Sequence, residues 1–302
     1  MIIDKIDLAI LRHLERSGYW LPPLTEQLSI TEDQIKQRLQ NLEQGKIISD
    51  YRATIFIPPF LGGEWTWGCI LATAQYREKT IEQILKKVTF INEIWLNSNL
   101  PSTLGHNFSL IFYSRDFDTE IKFIQEIPEI SYLEAYRIAS YSFPIPRIFS
   151  SEEIQLLKTI YHNPTATYAN LAEKCKKNND WIKSKIEKLT WTPQNKDGVI
   201  YILPQIDYTK IENYSHCHFI VESKTNLQLM LDELKMSGFE LVVSQRPYQN
   251  QYAQIEADIW GFGDFLTKKS HLDSFKEIKI KGIIFAEKML VVSNWVADLL
   301  NK

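Results

Sequence analysis

The sequence predicts an α+β fold built twice along one chain, and three observations predict it. An apolar lattice recurs: Leu8, Ile10, Leu11 and Leu14 return as Ile154, Leu156, Leu157 and Ile160 at an offset of 146. After a one-residue adjustment that pairs Leu24 and Leu28 with Leu171 and Cys175, Ile35, Leu39 and Leu42 return as Ile182, Ile186 and Leu189 at an offset of 147. Spacings of three and four are the helical period, and a repeat of this length marks a duplicated unit. In each copy the helices are followed by a β-rich stretch. Each copy then runs strand, helix, strand, strand, helix, strand.

In the first copy Thr31 and Gln34 have the spacing of a capping box and place a helix start there. Gly45 fits the helix C-cap, and Lys46 to Ile57 alternates with β-forming residues. In the second copy Asp197-Gly198 before Val199-Ile200-Tyr201-Ile202 predicts a tight hairpin. Three helices and a hairpin are the layout of a winged helix-turn-helix. The following elements are expected at Trp65–Tyr76, Glu78–Phe90, Glu93–Asn99, Asn107–Tyr113, Asp116–Ile127 and Ser131–Ala139. Their counterparts are Ser215–Glu222, Asn226–Ser237, Glu240–Gln245, Ala253–Gly261, Asp264–Phe275 and Gly282–Met289. This order is the ferredoxin-like βαββαβ pattern, an antiparallel sheet with helices on one face. Pro144-Ile145-Pro146 is a natural joint, since proline continues neither a helix nor a central strand. A last helix, Val291 to Leu300, has no partner in the first copy. The expected domains are residues 1–57 and 147–210 (winged helix-turn-helix) and 58–146 and 211–302 (ferredoxin-like).

At 302 residues the chain is long enough for several small cores, with 44% hydrophobic and 24% charged residues. No apolar run reaches the roughly 18 residues that span a bilayer, so no membrane partner is expected. The start, Met1-Ile2-Ile3-Asp4-Lys5, lacks the pattern of a signal peptide. Cys69, Cys175 and Cys217 are odd in number and far apart, which predicts a reducing, cytoplasmic setting. The net charge of −3 does not favour nucleic acid. Locally, residues 148–210 carry nine lysines against seven acids, whereas residues 1–57 carry seven basic against eight acidic groups.

The third helix of the first copy, with Ile35, Leu39 and Leu42 inward, presents Gln34, Lys36, Gln37, Arg38, Gln40 and Asn41. Amide side chains pair with adenine edges, and Lys or Arg reach guanine or phosphate. The matching helix of the second copy offers Trp181, Lys183, Ser184, Lys185 and Lys188, with packing the expected role of Trp181. A solvated amphipathic helix is the plainer account of both faces.

The stretch Ile6-Asp7-Leu8-Ala9-Ile10-Leu11 and the run from Gln34-Ile35-Lys36-Gln37-Arg38-Leu39 through Gly45-Lys46-Ile47-Ile48-Ser49-Asp50-Tyr51 resemble the N-terminal domain of the leucine-responsive regulator (Lrp/AsnC) family. The layout resembles that family over the whole chain, the motif only over about the first fifty residues. The resemblance implies a transcription regulator that binds double-stranded DNA, with RAM/ACT-like sensor domains and a small-molecule effector. It further implies an intramolecular pseudo-dimer, or a homodimer of such chains. The family's effector loop corresponds to Leu104-Gly105-His106-Asn107-Phe108, so Gly105, His106 and Asn107 are the effector candidates. His106 is expected to be a solvated loop histidine. In the second copy Arg246-Pro247-Tyr248-Gln249-Asn250 takes that place without a glycine.

His216-Cys217-His218 is the densest group of metal-type ligands. Strand alternation puts both histidines on one face and the cysteine on the other. No CxxC or HxxxH accompanies them, so no metal is expected. No phosphate-binding glycine loop or GxSxG elbow occurs, and Gly261-Phe262-Gly263 reads as a strand end without helix context. No cofactor and no catalytic residue is therefore assigned. An alternative reading is enzymatic: siroheme decarboxylases resemble the same regulators, and a tetrapyrrole cavity would draw on His106, His216, His218 and Arg246. A third is a protein-binding adaptor.

Overall fold

The computed structural model describes residues 1–17, 25, 28–99, 105–192, 195, 197–223, 230–243 and 252–301. Arg246 and Leu24 lie outside them. The first copy contains α1 (Lys5–Ser17), α2 (Glu32–Gln44), β1 (Ile48–Ile55), α3 (Ile57–Leu61), β2 (Gly63–Ala74), α4 (Arg77–Leu85), β3 (Ile91–Asn99), β4 (Phe108–Ser114), α5 (Phe117–Gln125) and β5 (Ile130–Phe143). The second contains α6 (Ser151–His162), α7 (Tyr168–Cys175), α8 (Asn179–Leu189), β6 (Ile200–Asp207), β7 (Tyr214–Ser223), α9 (Leu231–Met236), β8 (Phe239–Val243), β9 (Tyr252–Trp260), α10 (Gly261–Ser274), β10 (Ile278–Val291) and α11 (Asn294–Leu300). The chain is thus a tandem α+β protein. Among the described residues no helix is long and apolar enough to cross a membrane.

Local chemistry explains the helix ends. Thr31 and Gln34 form the expected capping box of α2, and Ser150 and Glu153 form another at α6. At the end of α2 the left-handed residue is Lys46, with φ of 58°, and Gly45 stays right-handed at −72°. Lys46 N–H donates to the Glu43 carbonyl and Ile47 N–H to the Leu42 carbonyl, both at 2.9 Å, the paired bonds of a Schellman motif. Gly261 begins α10 with φ of 77°, so the glycine pair does sit at a strand-to-helix junction.

Contacts divide the chain into two compact units, each assembled from both copies. One unit holds residues 3–65, 141–206 and 291–302. Its core repeats the apolar lattice: Ile10, Leu11, Leu14, Ile35, Leu39 and Leu42 are buried in the first copy, and Leu156, Leu157, Ile160, Ile182 and Leu189 in the second. Among the described residues no hairpin pairing flanks Asp197-Gly198. Gly198 lacks the positive φ of such a turn, and a Cβ there would lie 2.2 Å from the Thr190 carbonyl oxygen, so the glycine serves close approach. The strand that follows, β6, pairs antiparallel with β1, setting Ala53 against Ile202 and Ile55 against Ile200. Helix α11 packs on α6 and buries Trp295, Val296, Leu299 and Leu300.

The other unit holds residues 1–2, 66–140 and 207–290. Its strands follow the order β5-β2-β4-β3-β10-β7-β9-β8. Each half places its fourth strand first, then its first, third and second, which is the ferredoxin-like order. The halves join through β3, the second strand of one, and β10, the fourth of the other. Helices cover one sheet face. In the first copy Phe112 stacks on Phe117 of α5, and Gly68 leaves room for that ring. In the second, Cys217, Phe219 and Val221 pack with Leu234 of α9 and Leu272 of α10.

Candidate functional site

Because Cys217 turns toward the helices, His216 and His218 turn to the opposite face of β7, as alternation requires. Their Nε2 atoms lie 2.9 Å apart, with the rings edge to face. Antiparallel pairing sets His216 against Asp258 and His218 against Glu256 on β9. His216 Nε2 lies 3.0 Å from Glu256 Oε1, and its Nδ1 lies 3.5 Å from Asp258 Oδ1. The Tyr214 hydroxyl donates to Asp258 Oδ1 at 2.7 Å.

His106 joins this group from the first copy. Its side chain is 0% exposed, and neither ring nitrogen has a hydrogen-bond partner among the described residues. Burial pushes its pKa down to about 3, and the charge of His218 adds to the shift. The expectation of a solvated loop histidine is therefore overturned. The physical reason lies in its neighbours. The Gly105 carbonyl accepts from Thr73 Oγ1 at 2.8 Å. The Asn107 side chain donates to the Ala74 carbonyl at 2.8 Å and accepts from the Ala74 amide at 3.1 Å. These bonds extend the β2–β4 pairing and turn the histidine inward. Gly105 and Asn107 thus hold the backbone, and of the three effector candidates His106 is the one whose side-chain nitrogens are buried with no partner among the described residues.

Aromatic rings border the imidazoles. His216 stacks on Tyr208 with centroids 5.6 Å apart and tilts against Trp95 at 6.1 Å. Trp95 stacks on Tyr208 at 6.2 Å, and Tyr214 lies 5.0 Å from Trp260. Gln254 precedes Glu256 by two residues on β9, so it shares their face. It is buried, and its Nε2 has no partner among the described residues. Leaving a buried polar group unpaired costs about 1–3 kcal/mol, so these two groups beside the cluster are open to a bound water or a ligand. Neutral imidazoles beside carboxylates transfer protons, bind carboxylates through N–H, or ligate metals through their lone pairs.

The sequence singles out His106, His216 and His218 as candidates for the alternative tetrapyrrole reading and gives no role to Glu256, Asp258, Gln254, Trp95, Tyr208 and Tyr214, which the fold brings beside them. One signal was available. Gln254-Ile255-Glu256-Ala257-Asp258 alternates polar and apolar residues as His216-Cys217-His218 does, marking two strands that each carry a polar face.

The DNA-contact candidates lie in the other unit. Gln34, Lys36, Gln37, Gln40 and Asn41 are exposed on α2, and Lys183, Ser184 and Lys188 on α8. Several already have intramolecular partners. Gln34 Oε1 accepts from the Thr31 amide at 2.8 Å, and Gln37 Nε2 donates to Asn41 Oδ1 at 3.3 Å. Lys36 pairs with Glu32 at 2.7 Å. Arg38 reaches Asp7 at 2.7 Å and Asp4 at 3.0 Å, and Lys185 reaches Glu153 at 2.9 Å. Trp181 is half-buried, with Lys177 and Lys185 above its ring.

No protein-family model matches the sequence, and no curated protein matches it. Among solved structures the chain is similar to the siroheme decarboxylase NirDL. Identity is 10%, the match covers 98% of this chain and 99% of that one, and the TM-score is 0.48. NirDL in complex with an iron-uroporphyrin III analogue matches at 10% identity, over 98% of each chain, with a TM-score of 0.47. AsnC from E. coli matches at 19% identity over 49% of this chain and 99% of its own, with a TM-score of 0.26. These are likenesses of fold, to NirDL over nearly the whole chain and to an Lrp/AsnC-family regulator over half of it.

Proposed function

We propose that this chain is an enzyme of the siroheme-decarboxylase type, acting on a carboxylated tetrapyrrole at the imidazole cluster. One observation carries the reading: His106 of the first copy lies near enough to His218 for their charges to interact, and His218 Nε2 lies 2.9 Å from His216 Nε2, so three imidazoles from two distant segments meet within one unit. A tetrapyrrole enzyme needs such a group of imidazoles, and a DNA-reading helix does not. The surrounding groups fit such a substrate. Trp95 and Trp260, partly exposed, offer flat apolar surface for a macrocycle, backed by the buried rings of Tyr208 and Tyr214. The His106 imidazole and the Gln254 amide bring hydrogen-bond donors for carboxylates.

The charge pattern of the helix-turn-helix unit favours the same reading. Lys36, Arg38 and Lys185 each hold a carboxylate, which offsets part of the positive charge these helices would bring to phosphate. DNA affinity rests largely on cations that neutralise phosphates.

The test is an anaerobic titration of the full chain with siroheme, followed by absorbance and by product analysis. A saturable shift of the Soret-type band, with CO2 released, is expected, and both are lost in His106→Phe. An unchanged spectrum together with salt-sensitive retardation of promoter DNA would reverse the assignment. The second reading, a DNA-binding regulator with an effector site in this cluster, draws its support from the exposed Gln34, Gln37, Gln40 and Asn41 face of α2.

A further inference from the structure

We infer that His216, His218 and Glu256 form a divalent-metal site, one per chain, with two imidazole nitrogens and one carboxylate oxygen as ligands. The donor atoms all lie within 4.8 Å of one another. A tetrahedral ion with bonds of about 2.0–2.1 Å needs donors roughly 3.3 Å apart. The spacings of 2.9 Å between the two Nε2 atoms and 3.0 Å from His216 Nε2 to Glu256 Oε1 are within a few tenths of an ångström of that. Movement of that size lies within reach of side-chain torsions alone.

The surroundings have the organisation of a metal site as well as its ligands. Asp258 stands on the far nitrogen of His216, 3.5 Å from Nδ1, and is itself held by the Tyr214 hydroxyl. A carboxylate in that position keeps the proton on Nδ1, turns the Nε2 lone pair toward the ion and raises its basicity. Two imidazoles with one carboxylate suit a borderline cation such as Zn2+, and three protein ligands leave one coordination position open. Water or a carboxylate takes such a position, so an ion here and a carboxylated substrate are compatible. His218 and Glu256 are partly exposed, which provides entry.

The stoichiometry follows from the repeat. Gly68 in the first copy and Cys217 in the second both face helices. The outward positions that match His216 and His218 are therefore Trp67 and Cys69. Their cross-strand partners are Tyr113 and Ile111, where the second copy has Asp258 and Glu256. Cys69 is the one metal-type ligand among these four, and a lone thiol beside indole, phenol and isoleucine makes no ligand set, so duplication of the fold has not duplicated the site.

This inference goes beyond the tetrapyrrole reading and does not rest on it. Metal-free, untagged full-length protein is titrated with ZnCl2 by calorimetry. One equivalent per chain is expected to bind. His218→Ala and Glu256→Gln each weaken binding at least tenfold, and Asp258→Asn weakens it about 10–100-fold through the outer shell, with far-ultraviolet dichroism unchanged. Co2+ bound in place of zinc gives visible ligand-field bands that both ligand variants lose. Glu256→Gln keeps the shape of the side chain and serves if His218→Ala fails to fold. Absence of saturable binding, or the same affinity in wild type and Glu256→Gln, overturns the proposal. Zinc binding without a siroheme response leaves the metal site standing and removes the tetrapyrrole reading.

Discussion

Arg77 of the first copy and Glu287 of the second form an ion pair at 3.2 Å, and the same guanidinium group holds the Asn97 and Asn107 carbonyls at 3.1 and 3.3 Å. One side chain therefore joins the two copies and fixes the backbone beside His106. Arginine suits this role because its planar fork presents several donors at once.

Removing that fork loosens the histidine as well as the pairing. Arg77→Met is expected to destabilise the chain by about 1.5–3 kcal/mol, the range for hydrogen bonds to a charged group. It also weakens whatever ligand the imidazole cluster binds. Urea denaturation reads the first effect and ligand titration at constant folded fraction reads the second. A variant as stable as wild type and equally competent in binding removes this role.

His106 makes stability depend on pH. Its folded pKa of about 3 lies below the ordinary 6.5. Below pH 6.5 the unfolded chain takes up a proton that the folded chain refuses. Stability therefore falls as pH drops from about 6.5 toward 3, with a slope of at most about 1.4 kcal/mol per pH unit from this group. Melting curves of metal-free protein between pH 7 and pH 5 should fall more steeply for wild type than for His106→Phe. Parallel curves would contradict the assignment.

The thiols separate by burial. Cys69 and Cys217 are buried and Cys175 is partly exposed. Burial pushes the Cys69 thiol up to about 12, with the Glu93 charge adding to it, and burial pushes Cys217 up as well. Thiolate is the reactive form. A disulfide reagent at neutral pH should modify one thiol in the native chain and all three in denaturant. Rapid native modification of a second cysteine would show that one half of the sheet opens.

Gly68 is glycine for space. A Cβ at this position would meet the Phe117 ring at 2.1 Å. Gly68→Ala is expected to cost about 1–3 kcal/mol through overpacking, and Phe117→Leu in the same chain should recover part of it. A double-mutant cycle with no coupling energy would place the cost elsewhere.

The sequence by itself determined the duplicated layout, because an apolar lattice at helical period is a local signal. Leu8 and Ile154 sit at matching places in α1 and α6, and the buried set from Ile10 to Leu42 repeats from Leu156 to Leu189. Alternation likewise placed His216 and His218 on one face with Cys217 behind them. Tertiary structure decided what those residues face. Cross-strand register brought Glu256 and Asp258 to the histidines, and register is set by pairing between segments about forty residues apart. The Asn107–Ala74 and Arg77 hydrogen bonds turned His106 inward, where its local sequence reads as an open loop. Asp4 and Asp7 occupied Arg38 across a separation of more than thirty residues, and Glu153 occupied Lys185 over a similar one. Electrostatic partners at such range leave no periodic trace, so only the folded chain shows that Arg38 and Lys185 are already paired.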